Sequence, residues 1–345
     1  MNHVLGTSAA TVRAAPLMLV DVETEEGITG HAYLFCYVGA AARGIASILE
    51  EIERQAKGAA VAPVELWSKL SRRFTLIGVQ GIVRMAMAAF DVACWDALAR
   101  AAGLPLATLL GASPRAMRAY NSNGLGLMGP DALRREADEL LEGGFGALKL
   151  RLGYPTLAED LAAVRAVRER LPAGVELMVD YNQALGVDEA IARGRALDGE
   201  GLAWIEEPIR HDDYRGCARV AAALATPVQI GENFSQVHAM AEALEADACD
   251  LAMPDLERIG GVTGWQRAAA LAYARGMPMS SHLFPEVSAH LLAATPTAHW
   301  LEYVDWAAPL LEQPVEIRDG FVQPSTRPGN GLEWKADAVQ RYRMP

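Results

Sequence analysis

Titratable side chains end a series of short apolar runs in the second half of the chain, where strands of a parallel sheet would end. The runs are VELMVDYN, LAWIEEP, PVQIGEN, CDLAMPD, MPMSSH and HWLEYVD. The residues that end them are Asp180, Glu206, Glu232, Asp255, His282 and Glu302, in steps of 26, 26, 23, 27 and 20 residues. One βα unit of an eight-stranded barrel takes roughly 30 residues, and such barrels place their chemistry at the carboxyl ends of the strands. The spacing therefore predicts one shared site.

Three of these acids, Asp180, Glu206 and Glu232, end successive runs, so we expect their carboxylates to converge on one side of the barrel mouth. Hard oxygen ligands favour a hard cation, and Mg²⁺ binds few carboxylates while it keeps positions for water and substrate. Each acid alone is equally typical of a surface or capping residue, but three in register favour a metal site. Glu207 follows Glu206 directly and is expected to point the other way, as structural support.

Lys149 and Arg151 lie two residues apart in the run GALKLRL, hence on one face of a strand. They either neutralise interior carboxylates, or one of them contacts a substrate carboxylate and modulates a base. His282 has the unperturbed pKa closest to neutrality, about 6.5, and Asp255 on the preceding run is placed to hold its ring. This pair predicts a general base.

The elements that must position these residues change character along the chain. Residues 16–37 alternate around the turn at Glu26 and Gly27 and predict a β-hairpin. Helical spacing follows over 40–57, 63–70 and 81–102. After about residue 116, strand and helix patterns alternate, which predicts an α/β fold with parallel strands. A doubly wound sheet would need a Gly-rich phosphate turn after its first strand, and the Gly-x-Gly at 124–126 is interpreted as a loop.

Composition excludes several classes of protein. The chain has 345 residues and a formal net charge of −12, which would repel nucleic acid, and no basic cluster offsets it. No apolar run approaches the ~20 residues of a membrane helix, and the start lacks a signal-peptide cleavage pattern. Four widely separated cysteines, without a Cys-x-x-Cys pair, favour a reducing cytoplasm.

The motifs VDYNQ, WIEEP, GEN, LAMPD, GGVTGW, MPMSSHLF and SAHLLAATPTAHWLE closely resemble the mandelate racemase subgroup of the enolase superfamily. The resemblance implies a modified TIM barrel of eight strands and seven helices. It implies an α+β capping domain at 1–115, a catalytic barrel at 116–310 and a C-terminal segment at 311–345 that returns to the cap. It also implies a homo-oligomer, commonly an octamer.

Residue by residue, the resemblance implies that Mg²⁺ binds Asp180, Glu206 and Glu232 and that His282 and Asp255 form a catalytic dyad. Glu302 would hydrogen-bond the developing enediolate. The remaining implied contacts are Lys149 as the first lysine of a Lys-x-Lys motif, Asn182 near substrate or metal, and Ser122 on the substrate carboxylate.

Two features depart from the family pattern. Arg151 stands where the family has its second lysine, and an arginine keeps its proton far above pH 7, so it cannot supply a second base. In addition, the chain begins inside the stretch that matches the mobile lid and lacks the first cap strand, so either the start is assigned late or the cap is trimmed.

These observations leave three hypotheses. The first is α-proton abstraction from an apolar aryl or alkyl 2-hydroxy carboxylate, because unpaired sugar hydroxyls would be costly in an apolar pocket. The second is dehydration of an acid sugar, with His282 as both base and acid. The third is a barrel that binds metal and ligand without turnover. The expected apolar wall consists of Leu5, Ala9, Val12, Phe35, Tyr37, Leu76, Leu283 and Val304.

Overall fold

The computed structural model describes residues 1–344. Its first part is a cap that carries two small antiparallel hairpins and a group of helices. The strands are β1 (Leu5–Gly6), β2 (Thr11–Val12), β3 (Leu17–Glu23) and β4 (Thr29–Phe35). The helices are α1 (Gly39–Ala56), α2 (Pro63–Arg73), α3 (Gly81–Ala101) and α4 (Leu106–Leu109). The predicted hairpin and three predicted helices are confirmed, with boundaries that differ by a few residues.

The core of the cap lies between β4 and α3. Helix α3 is buried on most of its faces, so it sits between the cap sheet, α1 and the barrel. A Cβ atom at Gly30 would lie 2.0 Å from the carbonyl oxygen of Ala93, which requires glycine at this crossing. The cap sheet is therefore fixed directly onto the helix that carries it.

The barrel follows as alternating strands and helices. The strands are β5 (Met117–Asn121), β6 (Ala147–Arg151), β7 (Glu176–Asp180), β8 (Ile205–Glu206), β9 (Val228–Ile230), β10 (Leu251–Ala252) and β11 (Leu301–Tyr303). The helices are α5 (Pro130–Leu141), α6 (Leu157–Arg168), α7 (Val187–Leu197), α8 (Tyr214–Ala221), α9 (Val237–Glu245), α10 (Leu256–Ile259), α11 (Gly261–Arg275) and α12 (Pro285–Ala293).

Neighbouring strands pair in parallel from β5 to β10, and β11 pairs with β5 to close the barrel. The seventh strand position is filled by residues 279–282, where Met279 bridges Ala252 and Ala298 and where His282 bridges Asp255. This is the modified TIM barrel expected from the sequence. Strand β5, MRAYN, was not among the apolar runs singled out above, because an exposed arginine interrupts it.

The C-terminal segment contains a short 3-10 turn (Ala308–Leu310), the strands β12 (Ile317–Arg318) and β13 (Phe321–Val322), and helix α13 (Ala336–Tyr342). Strand β13 pairs antiparallel with β5. Arg100 of α3 contacts Asp96, Glu333 and the carbonyl of Leu332, so the segment returns to the cap. Within residues 1–344, no helix is both long and apolar enough to cross a membrane.

Candidate active site at the barrel mouth

Side chains alternate between the two faces of a strand, so the residues that face the barrel interior lie in successive layers two residues apart. One inner layer is apolar and fully or nearly buried, and it contains Tyr120, Ala147, Met178, Trp204 and Trp300. Two positions further along the same strands stand the polar residues Ser122, Lys149, Asp180, Glu206 and Glu302. The aromatic layer therefore forms a floor, and the functional side chains lie directly above it.

Asp180, Glu206 and Glu232 bring their carboxylates together. One oxygen atom from each of them lies within 4.8 Å of the other two. Asp180 and Glu206 are buried, and the Glu232 side chain is 14% exposed. Three hard oxygens on neighbouring strand ends fit a Mg²⁺ ion whose remaining coordination positions are filled by water and substrate. The predicted metal ligands are thus brought together.

Lys149 is buried within this group of carboxylates. Its Nζ atom lies 2.7 Å from Glu206, 2.8 Å from Glu302 and 3.5 Å from Asp180. Burial works to lower the pKa of Lys149, but the three carboxylates outweigh it and hold the pKa above its ordinary value. The lysine is a fixed positive charge at this position.

Glu302 accepts hydrogen bonds at both oxygens. Oε1 receives the Ser122 hydroxyl at 2.6 Å, and Oε2 receives the backbone N–H of Leu283 at 2.8 Å. Burial would raise the pKa of Glu302, but the charges of Lys149 and His282 outweigh it and lower the pKa to about 2. This arrangement holds Glu302 as a carboxylate, so donation to an enediolate requires that it first gain a proton.

His282 contacts an acid at each ring nitrogen. Nδ1 lies 2.7 Å from Asp255 Oδ2, and Nε2 lies 3.2 Å from Glu232 Oε2 and 3.8 Å from Glu302 Oε2. Burial works to lower the pKa of His282, but Glu232, Glu302 and Asp255 together raise it well above 6.5. The expected His-Asp contact is present, and Nε2 faces the carboxylates of Glu232 and Glu302.

Arg151 is buried but bonds only to neutral oxygens in the part of the chain that the structure describes. Nη1 donates to the carbonyls of Ser122, Gly124 and Lys149, and Nη2 donates to Ser122 Oγ at 2.8 Å. Its Nε has no hydrogen-bond partner within residues 1–344. The guanidinium therefore braces the end of β5 against β6, whereas we expected it to face carboxylates or substrate.

Ser122 and Asn182 are both placed at the site, in different ways. Ser122 is fully buried between Arg151 and Glu302, so its hydroxyl is already engaged. Asn182 has a positive φ of 44° and donates its Nδ2 to Asp180 at 3.0 Å, while its buried Oδ1 is without a partner in the described residues. Asn182 thus orients the carboxylate of Asp180 and leaves one acceptor free.

Four of the eight residues of the expected apolar wall are buried: Leu5, Phe35, Leu283 and Val304. Leu283 adjoins Glu302 through its backbone, and Val304 follows Glu302 by two residues on the same strand line. Phe35 is buried against Trp306, with ring centroids 4.9 Å apart. Leu5 is buried and pairs with the half-buried Val12, whereas Ala9 is exposed.

The prediction that Leu76 belongs to the apolar wall is corrected by the structure. It lies on the turn that follows α2, and its side chain is 99% exposed, so it adds nothing to an enclosed surface in the single chain. Tyr37 also differs, because it is 41% exposed and its hydroxyl accepts a hydrogen bond from Arg258. Tyr37 therefore contributes polarity as well as ring area.

A further set of polar residues surrounds Glu232. The sequence analysis expected Glu207 as structural support but did not identify Asn233 or Arg258. Asn233 Nδ2 bridges Glu207 at 2.8 Å and Glu232 at 3.1 Å, and Asn233 Oδ1 accepts from Arg258 at 2.9 Å. Burial, followed by the nearby Glu232 charge, raises the pKa of Glu207 well above its usual range. Only the adjacency of Asn233 to Glu232 in the sequence could have pointed to Asn233.

Comparison with known proteins agrees with this geometry. Residues 2–111 match the model described as mandelate racemase / muconate lactonizing enzyme, N-terminal domain, and residues 132–338 match the enolase C-terminal domain-like model. The L-talarate/galactarate dehydratase of Salmonella typhimurium is 34% identical over 92% of this chain and 80% of its own length.

Two solved structures are more similar. An enolase from the alpha proteobacterium bal199 with bound magnesium is 45% identical, with a TM-score of 0.96 over 99% of this chain and 95% of that one. An enolase from Bradyrhizobium complexed with magnesium and mandelic acid is 40% identical, with a TM-score of 0.95 over 100% of this chain and 95% of that one. The family models, the barrel with its cap and these relatives together show that the chain belongs to the mandelate racemase subgroup of the enolase superfamily.

Proposed function

We propose that this chain is a Mg²⁺-dependent enzyme that removes the proton α to the carboxylate of a 2-hydroxy acid, with His282 as its single base. One observation carries the proposal. His282 binds Asp255 through Nδ1 and directs Nε2 to within 3.2 Å of Glu232, one of the three clustered carboxylates. A base oriented by an acid therefore faces the place where a metal would hold the substrate.

In this proposal, Asp180, Glu206 and Glu232 hold the ion. When bound, Mg²⁺ supplies a Lewis acid that stabilises negative charge on the substrate carboxylate. Lys149 adds a second positive charge directly above the apolar floor, since its ammonium lies among these carboxylates. Charge that develops on the carboxylate oxygens of the enediolate is thus met by groups already in place.

Asp255 has two tasks in this account. Its Oδ2 holds Nδ1 of His282. A cation held by Glu232 would offset the negative charge that raises the pKa of the ring, so Nε2 would be unprotonated and able to take the substrate proton. The Oδ1 atom of Asp255 accepts the backbone N–H groups of Glu257 and Arg258 at 2.8 and 3.0 Å, which fixes the carboxylate itself. Glu302, 3.8 Å from Nε2, is placed to exchange a proton with the ring and then to hydrogen-bond the enediolate.

Because of Arg151, the proposed reaction transfers protons at only one face of the enediolate. Racemisation requires bases on opposite faces of a planar enediolate, and a guanidinium cannot lose its proton near neutral pH. The hydrogen bonds of Arg151 to Ser122 and to backbone carbonyls also fix it as a brace. We therefore assign Arg151 a structural charge and assign the proton transfer to His282.

The substrate that fits best is an apolar aryl or alkyl 2-hydroxy acid. Phe35, Leu283 and Val304 are buried next to the site, and the half-buried Val12 packs against the same core. The similarity to the Bradyrhizobium enolase, which was solved with mandelic acid, supports this choice. Burial of an aryl group against such a surface contributes about 25 cal/mol per Å² of apolar area.

A second candidate function is dehydration of an acid sugar, because this reaction needs only one histidine as base and then as acid. The similarity to the L-talarate/galactarate dehydratase of Salmonella typhimurium favours it. A barrel that binds metal and ligand without turnover is the third possibility, and the complete His282–Asp255 contact speaks against it.

A substrate screen in D₂O separates the three candidates. The purified protein is incubated with Mg²⁺ and either 2-hydroxy acids or aldonic and aldaric acids, and α-hydrogen exchange and 2-keto product are measured. We expect exchange with mandelate-like acids that is lost in His282→Asn and kept in His238→Asn, an exposed histidine outside the site. Keto product from an acid sugar would establish the dehydratase, and neither signal with any acid would indicate a binding protein.

A further inference from the structure

The one-turn helix α10 joins the proposed base to the proposed metal site. Asp255 precedes the helix and accepts the backbone N–H groups of its first residues, while its other oxygen binds His282. Arg258 is the third residue of the turn. Its position is therefore tied to the same carboxylate that orients the histidine.

Arg258 holds Glu232 from the side away from His282. Its Nη1 donates to the carbonyl oxygen of Glu232 at 3.0 Å, to Glu232 Oε1 at 3.3 Å and to Asn233 Oδ1 at 2.9 Å. The Glu232 carboxylate thus lies between a guanidinium at Oε1 and an imidazole at Oε2. A charged, forked donor of this kind fixes both the main chain and the side chain of its acceptor.

The cap completes this arrangement through Tyr37. Arg258 donates Nη2 to the Tyr37 hydroxyl, and its Cζ lies 5.2 Å from the centroid of the Tyr37 ring. The ring packs on Phe35 at 4.2 Å, and the Phe35 N–H donates to Glu257, the neighbour of Arg258. Tyr37 has a positive φ of 58°, an uncommon conformation for a residue other than glycine. The end of β4 therefore contacts two consecutive residues of α10.

We propose that Arg258 is a positioning residue for the metal ligand Glu232 and that Tyr37 of the cap holds Arg258 in place, so that docking of the cap strengthens Mg²⁺ binding. The inference rests on the proposed metal site. The two events are linked, because a contact that orders Glu232 before the ion arrives lowers the cost of binding it. Neither residue needs to touch the substrate for this effect.

The test compares Mg²⁺ affinity by calorimetry, without substrate, in the wild type, Tyr37→Phe, Arg258→Lys and the double variant. Tyr37→Phe removes the hydroxyl but keeps the ring over the guanidinium. We expect this change to raise the Mg²⁺ Kd by about three- to tenfold, because it removes one hydrogen bond between a charged group and a partly exposed side chain. Tyr273→Phe, on an exposed tyrosine of α11, serves as the matched control.

Arg258→Lys keeps the charge but loses the fork, so its effect should be larger, and the double variant should bind Mg²⁺ no more weakly than Arg258→Lys alone. An unchanged Kd in Tyr37→Phe, or effects that multiply in the double variant, would overturn the inference. If Arg258→Lys does not fold, Tyr37→Phe against its control decides. A wild type that does not bind Mg²⁺ would instead reject the proposed metal site.

Discussion

Arg151 is joined to Ser122 by a hydrogen bond of 2.8 Å from Nη2 to Oγ, and a second nitrogen of the same guanidinium donates to the Ser122 carbonyl. The Ser122 hydroxyl in turn donates a hydrogen bond of 2.6 Å to Glu302. The position where the sequence resemblance implies a second lysine is therefore occupied here by an arginine that braces Ser122 and, through Ser122, the carboxylate of Glu302. The proposed mechanism therefore has one base, His282.

Replacement of Arg151 by lysine should add a second, weak base. A lysine amine close to Lys149 has its pKa lowered by the like charge and can release a proton, whereas a guanidinium cannot. We expect Arg151→Lys to gain α-hydrogen exchange of (S)-mandelate that the wild type lacks, as measured by NMR in D₂O. Arg151→Met is the control, and equal exchange in the lysine and methionine variants would contradict this assignment.

Removal of the Glu232 charge should weaken metal binding and activity together. Glu232→Gln keeps the shape of the side chain but offers a neutral ligand in place of one of three clustered carboxylates. We expect the Mg²⁺ Kd and the turnover of mandelate-like acids to deteriorate by tenfold or more, about 1.4 kcal/mol or more in binding free energy. Glu245→Gln, at the exposed end of α9, should change neither. Retention of both properties in Glu232→Gln would show that the ligand set is wrong.

The first hairpin is expected to contribute to substrate binding. Leu5 and Val12 face each other across it, and Ser8 anchors it by donating to the carbonyl of Tyr181 at 2.7 Å. Val12→Ser or Leu5→Ser should lower kcat/KM for an aryl 2-hydroxy acid by about fivefold, or about 1 kcal/mol of lost apolar contact. Val64→Ser, on the exposed face of α2, is the control. An unchanged kcat/KM would exclude the hairpin from the substrate wall.

His290 should make the fold less stable in mild acid. It is fully buried, its Nδ1 accepts the backbone N–H of Ala107, and burial lowers its pKa to about 4. Because the unfolded pKa is about 6.5, the unfolded chain binds the extra proton first. The stability contributed by neutral His290 is complete above pH 6.5 and is lost as the pH falls toward 4, by about 2 kcal/mol at pH 5.

Urea unfolding of the wild type and His290→Asn at pH 7.5 and pH 5 measures this contribution. Asparagine keeps an acceptor for Ala107 but does not titrate, so the stability difference between the two proteins should shift by about 2 kcal/mol in favour of the variant at pH 5. His238→Asn should show no such shift, since His238 is exposed. A parallel loss of stability in the wild type and His290→Asn would refute the role of His290.

The polar residues above the apolar layer of the barrel could be predicted because their positions follow from local periodicity. The two-residue period of a strand places Asp180 above Met178 and Glu206 above Trp204, and the length of the βα unit places both at one mouth. The same rule failed to single out β5, where the exposed Arg118 breaks the apolar run.

Contacts between the cap and the barrel could not be predicted, because they depend on how two separately patterned regions dock. Nothing in the sequence near Tyr37 indicates that its hydroxyl meets Arg258, more than two hundred residues away. The exposure of Leu76 could not be predicted either, because the resemblance indicates where Leu76 lies along the chain but not which way its side chain points. Likewise, the sequence indicates that Arg151 cannot act as a base. It does not indicate the hydrogen bond from Arg151 to Ser122, which forms only when the ends of β5 and β6 come together.

The most direct test of the account is the exchange of the α-hydrogen of (R)- and (S)-mandelate in D₂O by the Mg²⁺-loaded wild type. By resemblance to the family, the His282 face serves the R enantiomer. The account predicts that (R)-mandelate exchanges with retained configuration, faster than it racemises, that (S)-mandelate is nearly inert, and that His282→Asn abolishes the exchange. Equal exchange of both enantiomers by the wild type would contradict the single-base mechanism and would require a second base on the opposite face.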